Sequence, residues 1–350
     1  MELPLVVGVD GSEYSLRAVD WATDEAARHG LALRLVHASL WQRYEHDGPA
    51  GRAPRAGGEG GPVTRAGEGG DAAGPGGPPG TAAGPGRLPG TEAGHAGTGT
   101  AVDPAGALEA PEERTVPVGS PERIVGQAAD RAARRDPDVK VLTDVCCEEA
   151  EEALLRAARN ATALVTGERG RGAVPGVLLG TVSLAMAAKA PCPVVVVRGS
   201  AAGRAGEHHR ILLGVAEPAS CAGAVRFAFR EAEVRHSDLE ALRAWRCPAS
   251  QTAGRLRWPK ERARRHRQRA ARMLDEALRD TQREHPGTEV LRSVAEGPAH
   301  ELLLEGSRTA DLVVTGALRQ SGHLGARIGR VAHTMLHYAD CPVAVVPHRE

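Results

Sequence analysis

Ala163-Leu164-Val165-Thr166-Gly167-Glu168-Arg169-Gly170-Arg171-Gly172, followed shortly by Leu178-Leu179-Gly180-Thr181-Val182-Ser183, is the stretch that decides the fold. Ala163–Thr166 is a short apolar run with the length of a buried parallel strand. It ends in a glycine-rich turn, and the helical pattern Thr181–Lys189 opens just beyond it. Ligands bind at this edge of an open α/β sheet, where strands end and helices begin. Gly167 and Gly170 let the backbone turn sharply and bring its N–H groups close to a polyphosphate. Gly180-Thr181 offers free N–H donors at a helix N-terminus, where the helix dipole also favours an anion. Arg169 and Arg171 add positive charge along the loop.

Working outward, the same alternation recurs. Leu5–Val9 reads as a first buried strand, ending at Asp10, which is placed to accept hydrogen bonds from a sugar or base. Ser12 or Glu13 opens an amphipathic helix to about His29, and Gly30 is placed to end it. Leu31–His37 is the second strand. Ser120 caps a helix through about Arg135 with Pro121 at its first position. Val139–Val145, Glu148–Arg159 and Pro193–Val197 supply the third strand, third helix and last strand. Five strands with helices between them imply a parallel, doubly wound sheet.

The chain then repeats itself. A shift of 149 positions lays Pro137 on Pro286 and aligns the rest without gaps. Val165-Thr166-Gly167 meets Val314-Thr315-Gly316, Gly180 meets Gly329, and Cys192-Pro193-Val194 meets Cys341-Pro342-Val343. The front ends match at another offset, with Leu5–Val9 on Ile211–Val215, so one half carries a large insertion. It lies at about 47–111, rich in Gly, Pro, Ala and Thr and almost without large apolar residues. Such a segment cannot offset the entropy of ordering and is expected to be disordered. The expected organisation is a first domain at 1–198, a polar, flexible linker at 199–209 and a second domain at 210–350, giving two tandem five-stranded α/β domains.

Lys and Arg total 44 and so do Asp and Glu, so no global charge favours nucleic acid, an anionic membrane or an acidic substrate. Six cysteines without a CxxC suit a reducing compartment. No signal-peptide pattern opens the chain and no apolar run has the length of a membrane span, so a cytoplasmic protein is expected. GxxxxGK[ST] is absent, as is a GxGxxG after the first strand, which excludes a Walker-type loop and a dinucleotide fingerprint.

The spacing Gly167-x2-Gly170-x9-Gly180-Thr181 resembles the G-x2-G-x9-G-[S/T] signature of the universal stress protein family. Val9-Asp10-Gly11-Ser12 at the start, Leu35-Val36-His37-Ala38 on the second strand and Ala190–Val197 at the end of the first half match its context. The resemblance covers both halves apart from the insertion and linker. It implies a Rossmann-like, adenine-nucleotide α-hydrolase-like fold and ATP binding. Carried over by position, Asp10 and Ala38 would lie at the adenosine end. Thr166, Gly167, Arg169 and Gly170 would line the sugar and first phosphates, and Gly180, Thr181, Val182 and Ser183 would hold the distal phosphates. Family members pair through their final strands, so Pro193–Val197 and Pro342–Val346 are expected to join within one chain as a pseudo-dimer. Two such chains could in turn associate as a homodimer.

The second half departs from this pattern. Ala216 stands in the position of Asp10, Arg319 in that of Gly170 and Arg330 in that of Thr181. A domain kept as fold and interface is expected, the counter-reading being a different anion site at Arg319, His323, Arg327 and Arg330. The basic run Lys260–Arg272 reads as a solvated helix face rather than a nucleic-acid surface. His333 and His337 have i,i+4 spacing but no third ligand in the sequence, so no metal site is expected.

Three functions follow. The leading one is a non-enzymatic, ATP-binding stress-response regulator, with or without Mg²⁺, whose nucleotide stabilises one conformation or assembly. A weak ATPase is the enzymatic alternative, although no water-activating carboxylate or Gln is signalled beside the distal phosphates. The third is an interaction scaffold indifferent to nucleotides, with an unidentified protein partner.

Overall fold

The computed structural model describes residues 2–39, 120–170, 179–246, 260–317 and 328–348. The insertion expected at 47–111 lies outside the described residues, as do Arg171, Gly172, Cys247, Arg319, His323 and Arg327.

In the first half, β1 (Leu5–Gly8) leads into α1 (Glu13–His29), then β2 (Leu33–Ala38). After the insertion come α2 (Pro121–Arg135), β3 (Val141–Cys146) and α3 (Ala150–Ala158), then β4 (Ala163–Gly167), α4 (Thr181–Lys189) and β5 (Val194–Val197). The local chemistry sets these boundaries. Ser12 accepts from the Ser15 N–H at 3.2 Å to start α1, and Gly30 ends it in the left-handed region at φ 64°. Ser120 caps α2 through the Arg123 N–H at 3.3 Å.

The expected flexible linker at 199–209 instead contains a short capped helix, α5 (Ala201–Ala205). Ser200 accepts from the Gly203 N–H at 3.1 Å, and Gly206 closes the turn at φ 80°. The segment also binds the second half: the Ser200 N–H donates to Asp340 O at 2.8 Å, and the His208 N–H donates to Asp311 Oδ1 at 2.9 Å. These side-chain and backbone partners are what hold a polar stretch in one conformation.

The second half repeats the order with β6 (Arg210–Gly214), α6 (Pro218–Arg235), β7 (Asp238–Trp245), α7 (Lys260–Glu284), β8 (Val290–Glu296), α8 (Ala299–Gly306), β9 (Leu312–Ala317), α9 (Arg330–Tyr338) and β10 (Val343–Pro347). Most of Lys260–Arg272 lies on the exposed side of α7, with Ala270 and Leu274 facing the core.

The ten strands of the described residues form one sheet in the order β3-β2-β1-β4-β5-β10-β9-β6-β7-β8. Neighbours are parallel within each half. Between halves, β5 and β10 run antiparallel, with Val196 opposite Val343, Val195 opposite Ala344 and Val194 opposite Val345. Each of these side chains is at most 1% exposed, so the Val-rich strands that would be aggregation-prone edges are paired and covered. Helices pack on both faces, and both apolar clusters run across the seam from one half to the other. No helix among the described residues is long and apolar enough to cross a membrane.

Two polar assemblies join the halves. Arg198, just after β5, donates to the carbonyls at the end of α9: Met335 O at 3.2 Å, His337 O at 2.8 Å and Ala339 O at 2.5 Å. Its guanidinium also lies 3.6 Å from Glu168, in the glycine-rich loop. Burial lowers the pKa of Arg198, partly opposed by the Glu168 charge. The second assembly lies where α1 meets α6 and contains Glu25, His29, Glu231 and Arg235. Burial and the adjacent Glu25 charge raise Glu231 to about 7.

Candidate functional site

All ten residues expected at the nucleotide site line a single cavity of about 510 Å³. It lies where β1 and β4 end and α4 begins, the position an open α/β sheet reserves for ligands. Each wall follows from a local feature of the sequence.

Asp10 follows β1. Its Oδ1 accepts from the Ser12 N–H at 3.0 Å and the Ser12 hydroxyl at 2.6 Å, so the residue that caps α1 also fixes the carboxylate. A Cβ on Gly170 would stand 2.7 Å from Asp10 Oδ2. The absence of a side chain at 170 therefore makes room for that carboxylate. Gly167 has a different constraint. Its Cβ would lie 2.5 Å from the Tyr14 carbonyl oxygen and 2.6 Å from its carbon. Only glycine lets the end of β4 press so closely on the first turn of α1.

Gly180 is the N-cap of α4, with φ −71° and ψ 150° and no side-chain cap. Its own N–H donates to Glu168 O at 2.8 Å, tying the helix start to the loop. With no capping side chain, the first-turn N–H groups at Thr181, Val182 and Ser183 remain suited to an anion. The Ser183 hydroxyl donates to Gly167 O at 2.7 Å and so holds α4 to β4. Thr166, 4% exposed, has an Oγ1 without a hydrogen-bond partner among the described residues. Such a buried hydroxyl is costly unless a ligand or water completes it.

Arg169 lies over the Tyr14 ring, 5.3 Å from its centroid, with Nη1 3.4 Å from the Tyr14 hydroxyl. Ala38 ends β2 at the opposite wall. The sequence reading did not single out the apolar surface that Val36, Leu154, Leu179 and Val182 provide, although Val182 was expected near the phosphates. Leu154 is signalled only as a core position of α3. His37 was also missed: its Nδ1 lies 2.7 Å from Val9 O and fixes the β1 end beside Asp10.

The second half places different groups at the corresponding positions. Arg243, the counterpart of His37 in the front-end alignment, donates through Nη1 to Val215 O and Ala216 O. Its Nη2 reaches Glu217 Oε1 at 3.1 Å and Met273 Sδ at 3.3 Å. A guanidinium thus sits on the carbonyls at the end of β6, as the His37 imidazole sits on Val9 O at the end of β1. A Cβ on Gly316 would meet Ser220 O at 3.6 Å, an ordinary contact, so the tight strand–helix approach seen at Gly167 is relaxed there.

His333 and His337 stack with centroids 4.4 Å apart, and burial followed by the neighbouring His333 lowers the pKa of His337. Among the described residues, neither belongs to a group of three side chains able to hold a metal. Among the described residues the five cysteines form no disulfide, and Cys192 and Cys341 are buried at their equivalent strand starts.

Comparison with known proteins agrees with this architecture. The model of the universal stress protein family matches residues 3–62, 93–198 and 207–347. A universal stress protein of Mycobacterium bovis is 27% identical over 350 residues, covering 98% of this chain and 94% of that protein. A second, from Mycobacterium tuberculosis, is 31% identical over 225 residues, covering 64% of this chain and 72% of its own. The crystal structure of a universal stress protein from Archaeoglobus fulgidus superposes with a TM-score of 0.58 at 12% identity, covering 98% of each chain, which shows the shared fold. Two α/β repeats joined through their last strands, a glycine-rich turn in the first and the family match across both together establish that this chain belongs to the universal stress protein family.

Proposed function

We propose that this chain is a stress-response regulator that binds ATP in its first half, while the second half contributes fold and interface. The observation that carries this reading is the convergence of Asp10, Ala38, Thr166, Gly167, Arg169, Gly170, Gly180, Thr181, Val182 and Ser183 on one cavity. The residues suit the ligand. The apolar wall at Val36, Leu154 and Leu179 matches the face of a base, and Asp10 matches the hydroxyls of a sugar. The uncapped start of α4 and Arg169 match phosphate charge. Thr166 Oγ1 is a buried polar atom without a partner among the described residues, as is that of its repeat counterpart Thr315.

The non-enzymatic form of the reading is favoured by the lining. Asp10 is the sole carboxylate among the described residues around the cavity, and Ser12 already engages it. Bound nucleotide would therefore act through linkage, stabilising the conformation it binds by RT ln(1 + [L]/Kd). The second half fits this division because Ala216, in the position of Asp10, offers no acceptor side chain.

The test is a calorimetric titration of ATP, with and without Mg²⁺, into the full chain and into a Gly170→Glu/Gly180→Glu variant. Near one equivalent per chain, lost in the variant, is the expected result. Two equivalents would refute the division between halves, and no binding by the folded parent would overturn the nucleotide reading. Phosphate release above blank that disappears in the variant would replace the non-enzymatic reading with an ATPase.

A further inference from the structure

A second cavity, of about 550 Å³, lies at the opposite edge of the sheet from the nucleotide cavity. It is bounded by the starts of β1, β4 and β5 in the first half and by α6 and the end of β10 in the second. Glu25, His29 and Glu231 all line it.

Glu25 and His29 are one turn apart on α1, and Glu231 and Arg235 are one turn apart on α6. Matching Leu5 to Ile211 makes Glu25 and Glu231 equivalent positions of the repeat, so the two carboxylates meet across the pseudo-twofold seam. Both are 3% exposed. Their oxygens divide the work. Arg235 takes Oε2 of each, at 2.6 Å from Glu25 and 3.2 Å from Glu231. Arg28 adds a contact to Glu25 Oε2 at 3.0 Å. The Oε1 atoms both turn to a single nitrogen, His29 Nε2, each at 3.2 Å.

We propose that Glu25 Oε1, Glu231 Oε1 and His29 Nε2 form a binding site for one four-coordinate divalent ion of the zinc type. Three observations support this assignment. One proton on Nε2 serves one acceptor well, whereas two carboxylate oxygens converging on the same ring nitrogen can share a central cation. The two nitrogen–oxygen spacings, 3.2 Å each, fit zinc ligands, which at 2.0–2.2 Å from the metal stand about 3.3 Å from one another at a tetrahedral centre. All three ligand atoms lie within 4.8 Å of one another. Lastly, the outer contacts are in place. Arg235 orients both carboxylates through the oxygens that the ion would not use, as second-sphere groups do in metal sites. Because the three ligands line the cavity, a fourth position would face it and could accept water or a small donor.

This site is independent of the nucleotide reading, since it uses none of the same residues and opens at the other sheet edge. It also requires both halves: α1 supplies two ligands and α6 the third.

The experiment uses the full chain, stripped with EDTA and then titrated with Co²⁺ and Zn²⁺. The expected result is one ion per chain, with Co²⁺ bands of four-coordinate nitrogen and oxygen ligation and no thiolate charge-transfer band. X-ray absorption of the Co²⁺ form should show one imidazole and no sulfur. The equivalent should be lost in His29→Gln and retained in His333→Gln. Failure of the folded parent to take up stoichiometric ion would overturn the proposal. So would sulfur in the absorption spectrum, or uptake unchanged in His29→Gln. The absorption measurement needs only the parent protein and therefore decides even if a variant does not fold.

Discussion

The three signature glycines should fail in different ways when each is changed to alanine. Gly167→Ala places a methyl carbon 2.5 Å from the Tyr14 carbonyl oxygen, which belongs to helix backbone and cannot rotate aside. An ordinary contact is about 3.5 Å, so β4 and α1 must separate by most of an ångström. Overpacking of this kind costs about 1–3 kcal/mol. The smaller entropy of the unfolded alanine chain returns about 0.4–1 kcal/mol, leaving about 1–2 kcal/mol of lost stability. With a urea slope of about 3 kcal/mol/M, the unfolding midpoint should fall by about 0.5 M. Gly180→Ala meets nothing closer than 3.6 Å, and its φ of −71° suits any residue. Loss of a good N-cap and gain in chain entropy are each about 0.5–1 kcal/mol and oppose one another, so its midpoint should match the parent. Gly180 lines the nucleotide cavity, however, and ATP affinity should fall about tenfold or more, or about 1.4 kcal/mol. Urea unfolding followed by circular dichroism, with nucleotide titration of the same samples, measures both. A Gly167→Ala protein as stable as the parent, or a Gly180→Ala protein destabilised by more than about 1 kcal/mol, would refute this division of roles.

Other outcomes follow from single contacts. Arg198→Met keeps the volume but strips three carbonyls at the end of α9 of their donor; about 3 kcal/mol should be lost in chemical denaturation, and an unchanged midpoint would contradict the bridging role. Gly170→Ala pushes against Asp10 Oδ2, the end of a side chain; it should leave stability within about 0.5 kcal/mol but weaken nucleotide binding, as read by calorimetry. Thiol labelling of the native protein at pH 8 should modify exposed Cys147 and spare Cys341, whose thiol burial pushes up to about 12; mass spectrometry of the labelled peptides would reveal the reverse order. The Arg131–Asp20 pair, bidentate at 2.6 Å for each bond but partly exposed, should contribute about 0.5–1 kcal/mol in a double-mutant cycle and less in high salt.

The sequence by itself determined whatever depends on neighbours along the chain. Hydrophobic period and caps such as Ser12, Ser120 and Gly30 located the helices, because those signals act within one turn. The repeat revealed two halves, and the glycine spacing identified the sheet edge that holds the cavity. The family resemblance implied ten residues that the structure brings to the cavity's lining. The ordered α5 segment was misread because polar composition does not reveal Ser200 capping Gly203 or bonding to Asp340. Only the tertiary structure decided what spans the seam. It distinguished Gly167, pressed on Tyr14, from Gly316, which has room; the two look alike in sequence. It placed Arg243 on the carbonyls at the end of β6 and Arg198 on those at the end of α9. It also brought Glu231 onto Glu25 and His29, although 202 positions separate His29 from Glu231 (231 − 29). The physical reason is that close approaches within a half follow from helices packing on parallel strands, and contacts across the seam from the antiparallel pairing of β5 with β10. That long-range pairing sets the relative placement of α1 and α6, which no local propensity encodes.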